Sequence, residues 1–152
     1  VPAYFFDSSA IVKFYVAESG TTWVRSFTDS EDNFIHVSAL TRVETISALT
    51  RRLRRSDITQ AEFREACDDL QQDFATQYRI VALTEQVIDD AAALAQSHGL
   101  RAYDAVQLAA ALDIRRVISQ VESTGLTLVS GDLELNAAAA AEGLNVEDPN
   151  SH

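Results

Sequence analysis

Ala3-Tyr4-Phe5-Phe6-Asp7-Ser8-Ser9-Ala10-Ile11-Val12 is the stretch on which the fold turns. Ala3 to Phe6 is an apolar run of strand length, and Asp7 ends it. Ser8 and Ser9 then offer helix-capping hydroxyls, and Ala10 to Val16 reads as helical. A strand that runs into an acid and then a helix is the opening unit of an α/β chain.

The same unit recurs downstream. Thr21 to Thr28 reads as a short helix, and Phe34-Ile35-His36-Val37 as the second strand. Ser38 is expected to cap a long helix ending near Arg55. Thr59-Gln60-Ala61-Glu62 has capping-box spacing and opens another. Arg79-Ile80-Val81-Ala82-Leu83 is the third strand, and Thr84 opens a helix that ends near Gly99. A further helix covers about Tyr103 to Val117. Leu126-Thr127-Leu128-Val129 is the fourth strand, followed by a helix through the alanine run and a short final strand over Leu144 to Glu147. The pattern predicts an α/β fold with a mainly parallel central sheet of four to five strands flanked by helices on both faces. No linker or repeat divides residues 1–152, so one domain is expected, with a protruding helical pair at about 38–78.

Composition limits the function classes. The chain has 152 residues, and 47% are hydrophobic, ordinary for a folded core and too high for disorder. No apolar run approaches the ~20 residues of a membrane span. No basic-then-apolar signal pattern stands at the N-terminus, and Cys67 has no second cysteine to pair with. These features predict a cytoplasmic protein with no membrane contact. The formal net charge is -11. Taken alone this opposes nucleic-acid binding, which requires a positive footprint. Lys13 is the only lysine, so the cations are nearly all arginines, which grip phosphate bidentately.

In open parallel sheets, ligands bind beyond the carboxyl ends of the strands. Asp7 stands there directly after the first strand, and Asp132 follows the fourth through Ser130-Gly131. If those strands are neighbours, both carboxylates share one rim. Asp104 opens a helix, and Glu44 lies within the long helix after the second strand. Carboxylate oxygens are hard ligands suited to Mg²⁺ or Mn²⁺, and several held together repel one another unless protons or cations intervene. Taken one at a time, Asp7, Asp104 and Asp132 read as helix caps and Glu44 as a solvated residue.

The combination of these acids with their neighbours resembles a known family. Phe6-Asp7-Ser8-Ser9-Ala10-Ile11-Val12, Arg42-Val43-Glu44, Leu100-Arg101-Ala102-Tyr103-Asp104-Ala105-Val106-Gln107-Leu108-Ala109-Ala110-Ala111 and Val129-Ser130-Gly131-Asp132 look like the four motifs of PIN-domain ribonucleases. The nearest subgroup is the VapC-type toxins of toxin–antitoxin pairs. The third motif is the most specific, whereas in the fourth Leu133 stands where the family often has arginine. The resemblance implies a PIN-like three-layer sandwich and a Mg²⁺- or Mn²⁺-dependent endoribonuclease. In it Asp7 and Asp104 are the main metal ligands, Glu44 and Asp132 ligate directly or through water, and Ser8 supports the first aspartate or its metal-bound water. It also implies an RNA substrate, a cognate antitoxin and a homodimer.

Helical geometry adds a separate expectation. At 100° per residue, Glu44, Arg51 and Arg55 share a narrow arc, with Arg52 at its edge, and Ile46, Leu49 and Leu53 lie opposite. Arg51, Arg52 and Arg55 are therefore candidates to hold an RNA backbone. The plainer expectation is that they pair with acids of the next helix, such as Glu62, Glu65, Asp68 and Asp69. An empty acidic pocket would attract a basic side chain from an antitoxin. Competing functions fare worse. A receiver domain needs a lysine after a late strand, but Lys13 follows the first. An aspartate-nucleophile phosphatase usually wants an acid where Ser9 stands. A non-catalytic α/β interaction module, with the acids as caps, is the natural alternative.

Overall fold

The computed structural model describes residues 2–120 and 125–152. Among them, β1 (Ala3–Phe6), β2 (Phe34–Ser38), β3 (Arg79–Val81), β4 (Leu126–Val129) and β5 (Asn145–Glu147) form one sheet in the order β3-β2-β1-β4-β5. All its pairings are parallel, with Ala3 opposite Phe34 on one side and Phe6 opposite Val129 on the other. β1 is thus central, and β4 is its neighbour.

Strands buried on both faces carry apolar side chains at successive positions. Phe5, Leu126 and Leu128 point into a core with Val87 and Leu94 of α5 (Glu85–His98), Leu108 of α6 (Ala102–Ser119) and Leu135 of α7 (Leu133–Ala141). Phe6, Ile35, Val37 and Val129 point the other way. They meet Ile11 of α1 (Ser8–Ile11), Val24 of α2 (Thr21–Arg25) and Leu70 and Phe74 of α4 (Gln60–Thr76). Helix, sheet and helix make the expected three layers. α3 (Thr41–Arg54) packs on α4 through Leu49 and Ala66.

Local signals explain most boundaries. Glu62 N–H donates to Thr59 Oγ1 at 3.1 Å and Thr59 N–H to Glu62 Oε1 at 2.9 Å, so the capping box starts α4. Thr84 accepts from Val87 N–H at the start of α5, and Gly99, at φ 64°, ends it in the left-handed conformation that glycine adopts without strain.

Three boundaries differ from expectation. Ser38 does not cap α3: it remains in β2 opposite Val81, and its buried hydroxyl shares a hydrogen bond with Thr41. α3 begins three residues later without a side-chain cap. β3 stops at Val81, because β2 offers no partner beyond that position. The first helix starts at Ser8 and tightens at Val12–Phe14 into a 3₁₀ turn. Its cap is the Asp7 carboxylate, which frees the Ser8 and Ser9 hydroxyls for other bonds. Among the described residues, no helix is long and apolar enough to cross a membrane.

Candidate functional site

β1 and β4 end side by side, and Asp7 N–H donates to Val129 O at 3.2 Å across the gap. This pairing brings the Asp7 turn against Ser130-Gly131-Asp132. Gly131 N–H donates to Ser9 Oγ at 2.9 Å, and a Cβ at Gly131 would meet Asn150 Nδ2 at 2.7 Å. A side chain there would have to displace the Asn150 amide. α3 and α6 complete the rim, and the four elements enclose a cavity of about 620 Å³. Asp7, Glu44, Asp104 and Asp132 all line it.

Each acid is held differently. Asp7 is buried, and its carboxylate accepts from Ser9 Oγ at 2.6 Å, Ala10 N–H at 3.1 Å and Ser130 Oγ at 2.7 Å. Burial nevertheless pushes its carboxyl up to about 6, against the pull of those three donors. Glu44 accepts from Gln107 Nε2 at 2.7 Å and from Ser8 Oγ at 3.2 Å. Burial raises it too, opposed by these hydrogen bonds and by Arg51. Gln107 lies one turn after Asp104 on α6 and also donates to Thr41 Oγ1 at 2.8 Å, so it ties α6 to α3.

Asp104 differs from the others. It is buried in the first turn of α6, and its Oδ2 has no hydrogen-bond partner. Burial is the main cause of a carboxyl pushed up to about 7, and the charges of Asp132, Asp7 and Glu44 add to it. Capping therefore accounts for Asp7, which accepts from Ala10 N–H, and for Asp132, whose Oδ1 accepts from Leu135 N–H at 3.0 Å. It does not account for Asp104, because Arg101 occupies the cap position of α6. Among the described residues, no three of these acids converge as they stand closely enough to hold an ion.

The basic candidates divide. Arg51 and Arg52 line the cavity, as does Ser8, but Arg55 at the C-cap of α3 does not. Arg51 donates to Ser47 Oγ at 2.9 Å. Arg52 pairs with Glu18 at 2.9 Å. Among the described residues, no ion pair joins α3 to the acids of α4.

Several lining residues carried no functional expectation. Lys13 is buried, and its ammonium donates to Glu18 at 3.1 Å, Ser19 O at 2.7 Å and Asn150 Oδ1 at 3.0 Å. As the only lysine it stood out by type, whereas Asn150 left no trace in the local pattern. Gln107, Ser9 and Ser130 lay inside the quoted motifs, and their hydrogen-bonding side chains were the available signal. Arg101 and Tyr103 also line the cavity, beside Asp104.

Comparison with known proteins adds an independent line. Residues 4–141 match the PIN domain family. The chain is similar to Ribonuclease VapC45 and Ribonuclease VapC49 of Mycobacterium tuberculosis, strains CDC 1551 / Oshkosh and ATCC 25618 / H37Rv respectively. Each is 35% identical over 146 residues, which is 96% of this chain and 95% of the relative. A chain of a toxin–antitoxin complex from Klebsiella pneumoniae shares the fold, with a TM-score of 0.61 at 16% identity over 96% of this chain and 97% of that one. The motif resemblance, the parallel sheet and a match over most of the chain agree, and the chain belongs to the PIN domain family.

Proposed function

We propose that this protein is a divalent-metal-dependent endoribonuclease and the toxin of a toxin–antitoxin pair, its site carried on one nuclease domain with α3 and α4 as a helical pair. The observation that carries the reading is the unpartnered, buried Oδ2 of Asp104, set in a cavity with three further carboxylates. A buried carboxylate without a donor or cation is costly, and nearby like charges add to the cost. An all-oxygen donor set fits Mg²⁺ or Mn²⁺. Asp7 and Asp104 would hold the ion, with Glu44 and Asp132 ligating directly or through water. When bound, the ion would supply charge neutralisation and water activation for hydrolysis of an RNA phosphodiester.

The chain's own groups would orient and bind. Ser9 and Ser130 fix the two oxygens of Asp7, while Ser8 and Gln107 fix those of Glu44. Arg51 and Arg52, on the cavity wall, would grip the RNA backbone and offset the acidic surroundings. The relatives named ribonucleases, 35% identical over nearly the full length, support the reaction class. The toxin–antitoxin complex among the similar structures supports an antitoxin partner, which would inhibit by placing a basic side chain among the acids. A homodimer accords with the VapC-type resemblance.

The test uses charge removal at constant shape. Asparagine is nearly as good a helix cap as aspartate, which preserves the Asp7 cap, and at Asp104, which caps nothing, it preserves the side-chain shape. Asp7→Asn and Asp104→Asn should therefore stay folded and lose Mn²⁺-dependent cleavage of total RNA by purified, partner-free protein. Cleavage at the parental rate in both variants would reject the site. A parent inactive on a broad RNA panel would favour the interaction-module reading.

A further inference from the structure

Tyr103 is the only aromatic residue lining the acidic cavity among the described residues. Its side chain is 40% exposed, although α6 buries Asp104 and Ala105 immediately after it. It belongs to none of the three apolar clusters. Among the described residues, no aromatic ring or cation stacks on its face. Packing therefore does not explain its position. Arg101 Nη1 donates to the Tyr103 hydroxyl at 2.9 Å, which fixes the tip of the ring and sets a guanidinium at its edge. Arg101 lines the same cavity.

We propose that Tyr103, oriented by Arg101, is a base-stacking platform for the nucleotide next to the scissile phosphate. The proposal rests on the ribonuclease reading above. Unpaired RNA bases stack on tyrosine rings and on arginine planes, and stacking is tolerant of sequence because every base has a π-face. The placement suits this task. Tyr103 directly precedes Asp104, so a base on its ring holds the adjoining phosphate near the carboxylates. Arg51 and Arg52 line the same cavity from α3, so the strand would run from the arginines across the acids to the ring. The platform selects single-stranded RNA over duplex, because only an unstacked base can reach it.

The experiment is a stopped-flow titration of full-length protein into a single-stranded RNA octamer carrying 2-aminopurine. Quenching is read before turnover in Mn²⁺, and kcat and KM are measured on the same octamer. The parent should quench the probe. Tyr103→Phe should retain most of the quench, whereas Tyr103→Ala should lose it and raise KM about tenfold with a smaller change in kcat. Arg101→Gln should fall between them. Circular dichroism and thermal melting check that each exposed-site variant is folded. If the parent cleaves and Tyr103→Ala quenches and cleaves like it, the platform is overturned while the ribonuclease reading stands. Quenching that depends on Tyr103 in a parent that cleaves no RNA overturns the ribonuclease reading and, with it, the placement beside a scissile phosphate. A parent that neither quenches nor cleaves overturns both. A Tyr103→Ala variant that quenches and cleaves like the parent but is impaired in binding a partner protein overturns the platform alone.

Discussion

The buried Ser130 hydroxyl donates to Asp7 Oδ2 at 2.7 Å while accepting from Asp132 N–H at 3.0 Å, so one side chain at the end of β4 positions two of the four acids. Ser130→Ala removes the donor and leaves a buried carboxylate oxygen unsatisfied. The Asp7 carboxyl, already raised to about 6 by burial, should rise further. The acid limb of the pH–rate profile should move to higher pH, and urea unfolding at pH 8 should show a loss of about 1–3 kcal/mol. An unshifted acid limb with parental stability would refute the coupling.

Gln107 makes a different kind of prediction. Its amide holds Glu44 Oε1 at 2.7 Å, while its own Oε1 lacks a partner. Gln107→Leu should lower kcat by about tenfold or more with little change in KM, since it disturbs the aim of a carboxylate rather than RNA contacts. Stability should fall by about 1–3 kcal/mol, because Glu44 and Thr41 lose a donor, offset in part by the departure of the unsatisfied Gln107 oxygen. A change confined to KM would contradict the positioning role.

Metal and pH should act on the same carboxyls. Asp7 and Asp104 titrate in the folded protein at about 6 and about 7, against 3.8 for ordinary aspartate. Between those values the folded state binds more protons than the unfolded one, so this contribution to stability falls as pH rises from about 4 through about 7. A cation that replaces the protons should restore it. Melting curves in EDTA and in Mn²⁺ should therefore differ more at pH 7.5 than at pH 5. Equal Mn²⁺ shifts at the two pH values would count against ion binding at these acids.

His36, on β2 and outside the cavity lining, should oppose that trend. Burial, aided by the Arg79 charge, lowers it from 6.5 to about 4, and Nδ1 has no partner. Here the unfolded state binds the extra proton, so stability is present above about 6.5 and is lost as pH falls toward 4. The cost of His36→Gln should shrink by up to about 2 kcal/mol between pH 7 and pH 4.5. Chemical denaturation of parent and variant at both pH values measures the difference, and a pH-independent gap would assign the histidine a purely steric role.

Much of this architecture is legible along the chain because its signals are local. An apolar run that stops at an acid marks β1, one that reaches an acid through Ser130-Gly131 marks β4, and Thr59 with Glu62 marks the start of α4. The acids were legible for the same reason, each lying inside a recognisable motif. What escaped was set by tertiary pairing. Ser38 looked like a cap, but its strand partner Val81 kept it in the sheet. Arg55 fell on the right helical arc, yet the helix ends at Arg54 and takes it away from the cavity. Asn150 reaches Lys13 across 137 positions, a contact no periodicity encodes. Tyr103 was in plain view within the third motif, but its exposure becomes informative only once its neighbours are known to be acids.

The separation of Asp7 from Ser130 has a consequence in time. They are 123 positions apart, and the central strand carrying Asp7 finds its β4 partner only near the end of the chain. A ribosome emits the chain from its N-terminus, and long-range parallel pairings are the slow ones to form. A nascent chain stalled before Leu126 holds three of the four acids but lacks both the Ser130 donor and Asp132. Stalled chains of that length should therefore be inert where the released protein is active. For the proposed toxin, such delayed maturation would leave an interval during synthesis in which an inhibitor can be made and waiting before the site exists.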